Sequence, residues 1–389
     1  MFKKSNSFES NGLNTVNIKC SIIIPKQKEE LLNKYFGHSR YIYNWAIDLN
    51  NERYKNNEQT LNYVNLSKLL PSLKKEKEFL KEVDSTTLQQ ALQDYWTTMQ
   101  NFFNKKCGFP KFRSKHKKQT IRILNVKSEK PNHNSIRIEG NNIKLGKLGW
   151  VRIKPNQTIP NGDIQFVTIK RTKSGKIYAT LTIRRSDEIS QFDKTGKEVG
   201  IDVGVKDFAC FSDGVVILKP DFLEKDDKKL RKLHRQLSRK QKNSKNREKA
   251  IHKLAVAYEK DRNRREDFLN KLSLSIVRDY DLIVMENLDI QSMLKDKKNK
   301  NLHKPISEIG WCSFTKKVKY KSEWYGKVFV QVEKSFPSSQ LCSHCGYKNT
   351  ETKDLSIRKW ICPECRTVHD RDRNASINIL REGKRIISE

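Results

Sequence analysis

The sequence predicts an α+β multidomain chain, with a small β-barrel interrupted by a helical lobe in its first half and an α/β domain with a zinc-ribbon insertion in its second. Three observations lead there. Val199 to Val205 and Asp281 to Leu288 are short apolar stretches that each carry an acid, Asp202 and Glu286, as buried strands of an α/β sheet do when they present carboxylates at one edge. Cys342-x2-Cys345 and Cys362-x2-Cys365, sixteen residues apart, have the spacing of a four-thiolate ribbon. Between about 119 and 186 apolar Ile177, Ala179, Leu181 and Ile183 alternate with Tyr178, Thr180, Thr182 and Arg184, the period of a half-buried strand.

Composition narrows the function. The chain has 389 residues, room for two or three domains, and 79 Lys and Arg against 45 Asp and Glu give a formal net charge of +34. Self-repulsion of that size opposes a compact state unless a polyanion neutralises it, and it exceeds what solubility requires, so nucleic acid is the expected partner. Cys20, Cys107, Cys210 and Cys312 lie singly and read as buried thiols of a reducing compartment. No apolar run approaches the roughly 18 residues of a membrane helix, and the N-terminus lacks a signal-peptide core, so an intracellular, soluble protein without a membrane partner is expected.

In chain order, residues 1–15 are polar. Lys19 to Pro25 reads as a strand, stopped by the proline. Gln27 to about Lys55 is helical, with a stripe of Leu31, Leu32, Tyr35, Phe36, Tyr43, Ala46 and Leu49. A short helix from Asn65 to Leu73 follows, ending near Pro71. The clearest helix begins at the caps Asp84 and Ser85 and runs to Gly108, with Leu88, Leu92, Tyr95, Met99 and Phe102 on its core face. Gly108 to Lys118 is a basic run with two aromatics, containing Lys111, Phe112 and Arg113. Cations bind phosphates and aromatic faces stack on unpaired bases, so it reads as an RNA contact; the alternative is a solvated turn whose Phe109 and Phe112 anchor in the core. Short strands from 119 to 186, together with the first one, make the barrel, and 186–196 is a linker.

The second half opens on the Asp202 strand and a hairpin turn at Asp213-Gly214. A charged helical stretch from about 222 to 279 reads as two antiparallel helices joined near Asn243 to Asn246. Its cations, Arg235, Arg239 and Lys240 among them, would hold a heteroduplex by its phosphates without reading bases; the alternative is a merely solvated hairpin. Lys295 to His303 lacks apolar periodicity and reads as a loop or lid. An amphipathic helix from Ser307 to Tyr325, ended by Gly326, and a strand from Lys327 to Val332 precede the ribbon. Two cysteine knuckles close a tetrahedron with no open position, so zinc on Cys342, Cys345, Cys362 and Cys365 is structural.

An ionised acid in an apolar strand is costly unless a cation satisfies it. Asp202 and Glu286 gain a third acid where His369-Asp370-Arg371-Asp372-Arg373-Asn374-Ala375 opens a helix, with Asp370 and Asp372 both candidates. Three carboxylates at one sheet edge repel unless divalent metal sits among them. That suits a two-metal nuclease, in which Mg²⁺ ions about 4 Å apart activate water and stabilise the leaving oxygen of a phosphodiester.

The blocks Gly-Ile-Asp-Val-Gly-Val-Lys-Asp-Phe at 200–208, Met-Glu-Asn-Leu at 285–288, Phe-Pro-Ser-Ser-Gln-Leu-Cys-Ser-His-Cys-Gly at 336–346 and His-Asp-Arg-Asp-Arg-Asn-Ala at 369–375 occur in the order of TnpB proteins, which the chain resembles over nearly its whole length. TnpB proteins are transposon-encoded, RNA-guided DNA endonucleases related to the type V CRISPR effectors. The resemblance implies an RNase H-like, RuvC-type nuclease domain at 191–337 and 369–389, interrupted by the zinc ribbon at 338–368. It implies a wedge barrel at 1–26 and 110–190 that grips RNA, and a helical recognition lobe at 27–109. The family pattern Asp-x-Asn-Ala selects Asp372 over Asp370. Asp202, Glu286 and Asp372 would then be the catalytic and Mg²⁺-binding acids, and Tyr63, Ser67 and Gln89 would contact a short duplex motif beside the target, or else remain polar surface. Guide RNA and double-stranded DNA are the implied partners, with a monomer on the RNA, in the cytoplasm of a prokaryotic cell, at the nucleoid. A descendant that binds but no longer cuts, and an unguided resolvase of the same fold, are the alternatives.

Overall fold

In the computed structural model, residues 15–117, 119–129, 134–155, 158–186, 190–288, 309–354 and 356–389 are described. The expected loop from Lys295 to His303, and Asp187 and Glu188 of the expected linker, lie outside them. Two units divide the chain between residues 188 and 189.

The first unit is built on seven antiparallel strands. They are β1 (Thr15–Ile23), β2 (Gln119–Leu124), β3 (Ile136–Glu139), β4 (Asn142–Leu145), β5 (Gly149–Pro155), β6 (Gly162–Arg171) and β7 (Ile177–Arg185), in the order β2-β6-β7-β1-β5-β4-β3. Strict alternation buries Val16, Ile18, Cys20 and Ile22 from β1 against Ile121, Ile123, Val167, Ile169, Leu181 and Ile183. The sheet curls until its two outer strands meet. There the Ile136 amide donates to Asn125 Oδ1 at 2.9 Å and the Ser135 amide to the Val126 carbonyl at 3.0 Å, joining the end of β2 to the start of β3.

Between β1 and β2 the chain makes α1 (Lys26–Lys55), α2 (Tyr63–Glu76), a 3₁₀ turn (Glu78–Glu82) and α3 (Ser85–Phe103). Leu32, Tyr35, Tyr43, Ala46, Leu66, Leu70, Leu88, Leu92 and Tyr95 form their shared core, and Ile42 and Ile47 join it, whereas Leu31 and Leu49 are only half-buried. Asn50 is buried at no net cost: its amide donates to Tyr95 Oη at 2.8 Å and to the Leu61 carbonyl at 3.0 Å, and its oxygen accepts from the Leu61 amide at 2.7 Å.

Three expectations are corrected. α2 passes through Pro71 to Glu76, because Leu66, Leu70 and Leu73 bury one continuous stripe that outweighs the cost of about 3 kcal/mol that a proline carries inside a helix through its missing hydrogen bond and its ring clash. α3 stops at Phe103, and Asp84 makes no side-chain cap; its carboxylate accepts from Tyr35 Oη and from the Lys147 amide at 3.2 Å, tying the lobe to the barrel. Cys20 and Cys210 are buried, but Cys107 and Cys312 are exposed, one in the turn after α3 and one in the first turn of a later helix.

The second unit holds β8 (Glu198–Val203), β9 (Ala209–Phe211), β10 (Val216–Ile217), α4 (Asp221–Ser238), α5 (Lys245–Asp279), β11 (Leu282–Glu286), α6 (Trp311–Trp324) and β12 (Val328–Val332). The two-stranded ribbon of β13 (Lys359–Ile361) and β14 (Val368–Asp370) precedes α7 (Arg371–Ser388). The five-stranded sheet runs β10-β9-β8-β11-β12, with β8, β11 and β12 parallel and β9 and β10 antiparallel, the RNase H-like arrangement.

Each sheet face has its own core. Val199, Ile201, Ile283 and Met285 pack with Leu269, Ile276, Phe314 and Val318 of α5 and α6. Leu282, Val284 and Val332 pack with Ile379 of α7. Strand period two therefore directs Asp202 and Glu286 to the α7 face. A Cβ on Gly200 would collide with the Ser376 carbonyl oxygen and reach the Leu380 amide nitrogen at 2.6 Å, and one on Gly383 would collide with the methyls of Val284. These two glycines let α7 lie directly on the sheet.

An ion pair between buried Lys327 and half-buried Asp281 fixes the entry to this domain. Lys327 Nζ donates to Asp281 Oδ1 at 2.5 Å and to the Asp193 carbonyl at 2.7 Å, while the Thr195 and Gly196 amides donate to Asp281 Oδ2 at 2.8 and 2.6 Å. The Lys327 bond, aided by those amides, depresses the Asp281 carboxyl to about 2. A depressed acid contributes stability above its unfolded value, near 4, and loses it as pH falls through the folded value. Urea unfolding is expected to place Asp281→Asn roughly 2 kcal/mol below wild type at pH 7, with the gap shrinking from pH 4 to pH 2; a gap constant across that range contradicts the assignment.

Candidate active site

Three acids from distant parts of the chain reach the α7 face of the sheet. Asp202 is the fifth residue of β8 and Glu286 the last of β11. Their strands pair in parallel up to Ile201 and Met285, so the acids leave the sheet side by side. Asp372 is the second residue of α7. Asp370 has another task, accepting from the Arg373 amide at 3.1 Å as the N-cap of that helix.

The electrostatics tie the three together. The Asp202 carboxyl is pushed well above the usual carboxylate range, first by burial and then by the negative charges of Glu286 and Asp372, with Arg371 and Arg358 opposing. Burial also raises Glu286, against the hydrogen bond it accepts from Ser338 Oγ. Asp372 is held by Arg358, whose Nη1 lies 3.2 and 3.1 Å from its two carboxylate oxygens. With Asp372 clamped there, the three carboxylates do not close on one another: among the described residues only the four ribbon cysteines form a group of three or more potential ligands with all donor atoms within 4.8 Å. An all-oxygen donor set suits Mg²⁺ rather than a softer ion, and the charge it would neutralise is the charge that now raises Asp202.

The ribbon has the closed geometry that its spacing implies. Cys342 and Cys365 sulfurs are 3.6 Å apart, as are those of Cys345 and Cys362, and none is in a disulfide. The knuckles are built alike. The Gly346 amide donates to the Cys342 carbonyl at 2.9 Å and the Arg366 amide to the Cys362 carbonyl at 3.0 Å, with φ of 84° and 59° at those two residues. His369 stands outside the four thiols, its Nε2 3.0 Å from Cys342 Sγ.

Four residues to which the sequence reading gave no role connect ribbon and acids. Asn374 Nδ2 donates to the Leu341 carbonyl at 2.7 Å, and its Oδ1 accepts from the Ser343 amide at 2.8 Å. Asn378 Nδ2 donates to the Ser338 carbonyl at 2.9 Å, and Ser338 is the donor to Glu286. Arg358, on the ribbon, completes the set. α7 thereby fastens the first knuckle while the flanks of the ribbon reach Glu286 and Asp372. Phe-Pro-Ser-Ser and the Asn374 position stood inside the quoted blocks, but polar residues at a domain junction carry no periodic signal.

The other predicted contacts belong to the first unit or to the α4–α5 hairpin. Tyr63 and Ser67 are one turn apart on α2, Gln89 is on α3, and all three are half-buried. Lys111 and Phe112 are exposed, so Phe112 is no core anchor. Arg113 is a staple: its guanidinium lies 3.6 Å from the Tyr43 ring centroid and 3.1 Å from Asp94 Oδ2, and its backbone exchanges hydrogen bonds with the Asn44 side chain. Arg235, Arg239 and Lys240 are exposed.

Comparison with known proteins adds three findings. Residues 180–297 match the family described as "Probable transposase" (OrfB of IS605), residues 311–379 the "Cas12f1-like, TNB domain", and residues 16–59 a "Helix-turn-helix domain", although here that last segment is β1 and one unbroken helix, α1. The chain is 34% identical over 356 residues to a Streptomyces pristinaespiralis protein named "Putative RNA-guided DNA endonuclease", covering 90% of this chain and 85% of that one. It is 29% identical over 377 residues to Escherichia coli K12 "Putative RNA-guided DNA endonuclease InsQ", covering 93% and 90%. Its fold is similar to the protein in a Cas12f1–sgRNA–target DNA complex, with a TM-score of 0.58 at 15% identity over 92% of this chain and 83% of that one. No described helix is long and apolar enough to cross a membrane.

Proposed function

The chain belongs to the TnpB-like family of RNA-guided DNA endonucleases, and on that premise we propose that it binds a guide RNA and cuts double-stranded DNA at Asp202, Glu286 and Asp372. The observation that carries this reading is the placement of three acids on one face of an RNase H-like sheet, where burial first, and then the charges of Glu286 and Asp372, raise Asp202. Mg²⁺, held by these three carboxylates, would supply water activation and stabilisation of the leaving oxygen. The four ribbon thiols would hold zinc as a structural brace.

The chain's own residues do the positioning. Ser338 orients Glu286 by its hydrogen bond, and Arg371, buried beside the site, offsets part of the charge on Asp202. Arg358 neutralises Asp372 until that carboxylate is needed as a ligand. A guanidinium so released suits a phosphate oxygen of the strand entering the site.

The test begins with protein purified from cells that also carry the DNA flanking its gene. RNA that co-purifies is sequenced, and a plasmid bearing the matching target is offered with Mg²⁺ or with EDTA. Cutting that needs both the matching RNA and Mg²⁺ is expected. Preparations free of RNA, or cutting that ignores the match, would exclude guidance.

A further inference from the structure

The α4–α5 hairpin is electrically two different objects. Over its base, residues 221–231 and 258–279, ten Lys and Arg face nine acids. Pairs there are made side chain to side chain: Arg264 Nη1 with Asp226 at 2.9 Å, Arg231 with Asp227 at 2.5 Å, Arg265 with Asp261 at 2.5 Å and Lys271 with Asp267 at 2.8 Å. Over its tip, residues 232–257, nine Lys and Arg meet one acid, Glu248. Arg247 is used internally, donating to the Leu237 and Lys240 carbonyls at 3.1 and 3.2 Å and so fixing the turn between the helices. The other eight are exposed, and among the described residues none has an ion pair.

Four of them converge. Arg239, Lys240, Lys249 and Lys253 line a groove of about 450 Å³ between the helices, with Gln236 and Asn246 as neutral donors and no acid. Two helices alone do not hold such a cluster cheaply. In this stretch only Leu254 is buried, Leu233 and Leu237 are half-buried, and Ile251 and Val256 are exposed. Little apolar burial offsets the repulsion, so the tip suits a polyanion that stays bound rather than one that visits. Its long cations, without a free aromatic face in the groove, fit phosphates of a duplex and not base edges.

We propose that the tip of the α4–α5 hairpin is a clamp for the sugar–phosphate backbone of a base-paired stem of the resident RNA, while the base of the same hairpin is electrostatically silent. This rests on the guided-nuclease reading and names where the RNA is gripped.

The test uses the full-length protein freed of co-purifying nucleic acid by high salt. Its probes are a 20-base-pair RNA duplex of arbitrary sequence and a DNA duplex of the same sequence. Arg239→Gln/Lys249→Gln/Lys253→Gln at the tip is compared with Lys225→Gln/Lys229→Gln/Lys260→Gln at the base, which removes the same charge. The tip variant is expected to lose about 10- to 100-fold in RNA affinity at 0.1 M salt, and its slope of log K against log salt should fall by about 2, as each lost phosphate contact removes nearly one unit. The base variant should stay within about twofold of wild type. Equal losses from both variants mean that net charge alone matters and overturn the clamp. A loss confined to the DNA duplex overturns its assignment to RNA. Failure of wild type to bind RNA at all would bring down the functional reading and the clamp together.

Discussion

Asp202→Asn is expected to abolish DNA cutting and, in the same protein, to raise the thermal stability of the metal-free fold. The carboxyl sits in a strand among Val199, Ile201 and Val203, and burial together with Glu286 and Asp372 raises it well above the ordinary acid range. The sign of the pH dependence follows. A folded-state value above the unfolded one means that the native metal-free protein holds the extra proton. This group therefore favours folding most below pH 4 and progressively less as pH rises toward the raised value. Asparagine keeps the shape and removes the charge, so at neutral pH it should stabilise the metal-free protein by about 1 kcal/mol, read as a higher Tm. Cutting should fall by about 10³-fold or more, since residues that act as a unit fail as a unit. Added Mg²⁺ should raise the Tm of wild type and leave the variant unmoved. Unreduced cutting by the variant, or a variant less stable than wild type at pH 7, would show that Asp202 is not the strained acid of this site.

Gly200→Ala should be the most damaging single-methyl change in the second unit. Its Cβ would meet the Ser376 carbonyl oxygen and the Leu380 amide nitrogen, both backbone atoms of α7 that cannot rotate aside. Overpacking of that kind costs about 1 to 3 kcal/mol, and the cheapest relief is for α7 to rise off the sheet, carrying Asp372 with it. Misplacement by about 1 Å costs on the order of 100-fold in rate. Gly383→Ala meets only the methyls of Val284 and should do less. The expected pattern is a lowered Tm and strongly reduced cutting in Gly200→Ala, with RNA binding retained. A variant as stable and as active as wild type would mean that α7 does not depend on this close approach.

The parts of the fold that could be read beforehand are those written with a period. The alternation through β7, the heptad-like stripe of α3 and the two Cys-x2-Cys knuckles are local patterns with one physical solution each, whereas β1 starts at Thr15, four residues before the strand expected from Lys19. Asp202 and Glu286 were legible because a lone acid in an apolar strand is anomalous. Pro71 misled because a rule about the helix interior yields to the burial of Leu66, Leu70 and Leu73 on both sides of it. Arg113 looked like a free cation beside Phe112, and the sequence could not reveal that Tyr43, Asn44 and Asp94 come to meet it from α1 and α3. Ser338, Arg358 and Asn378 were invisible for the same reason, since their meaning lies in partners 14 to 52 residues away.

The claim that three remote acids make one cutting centre is tested most directly by the rates of RNA-loaded Asp202→Ala, Glu286→Ala, Asp372→Ala and the triple variant on one matched DNA target. The expected result is that each single variant falls to the floor set by the triple variant while binding RNA as wild type does. Any single variant that keeps cutting well above that floor would place its acid outside the centre.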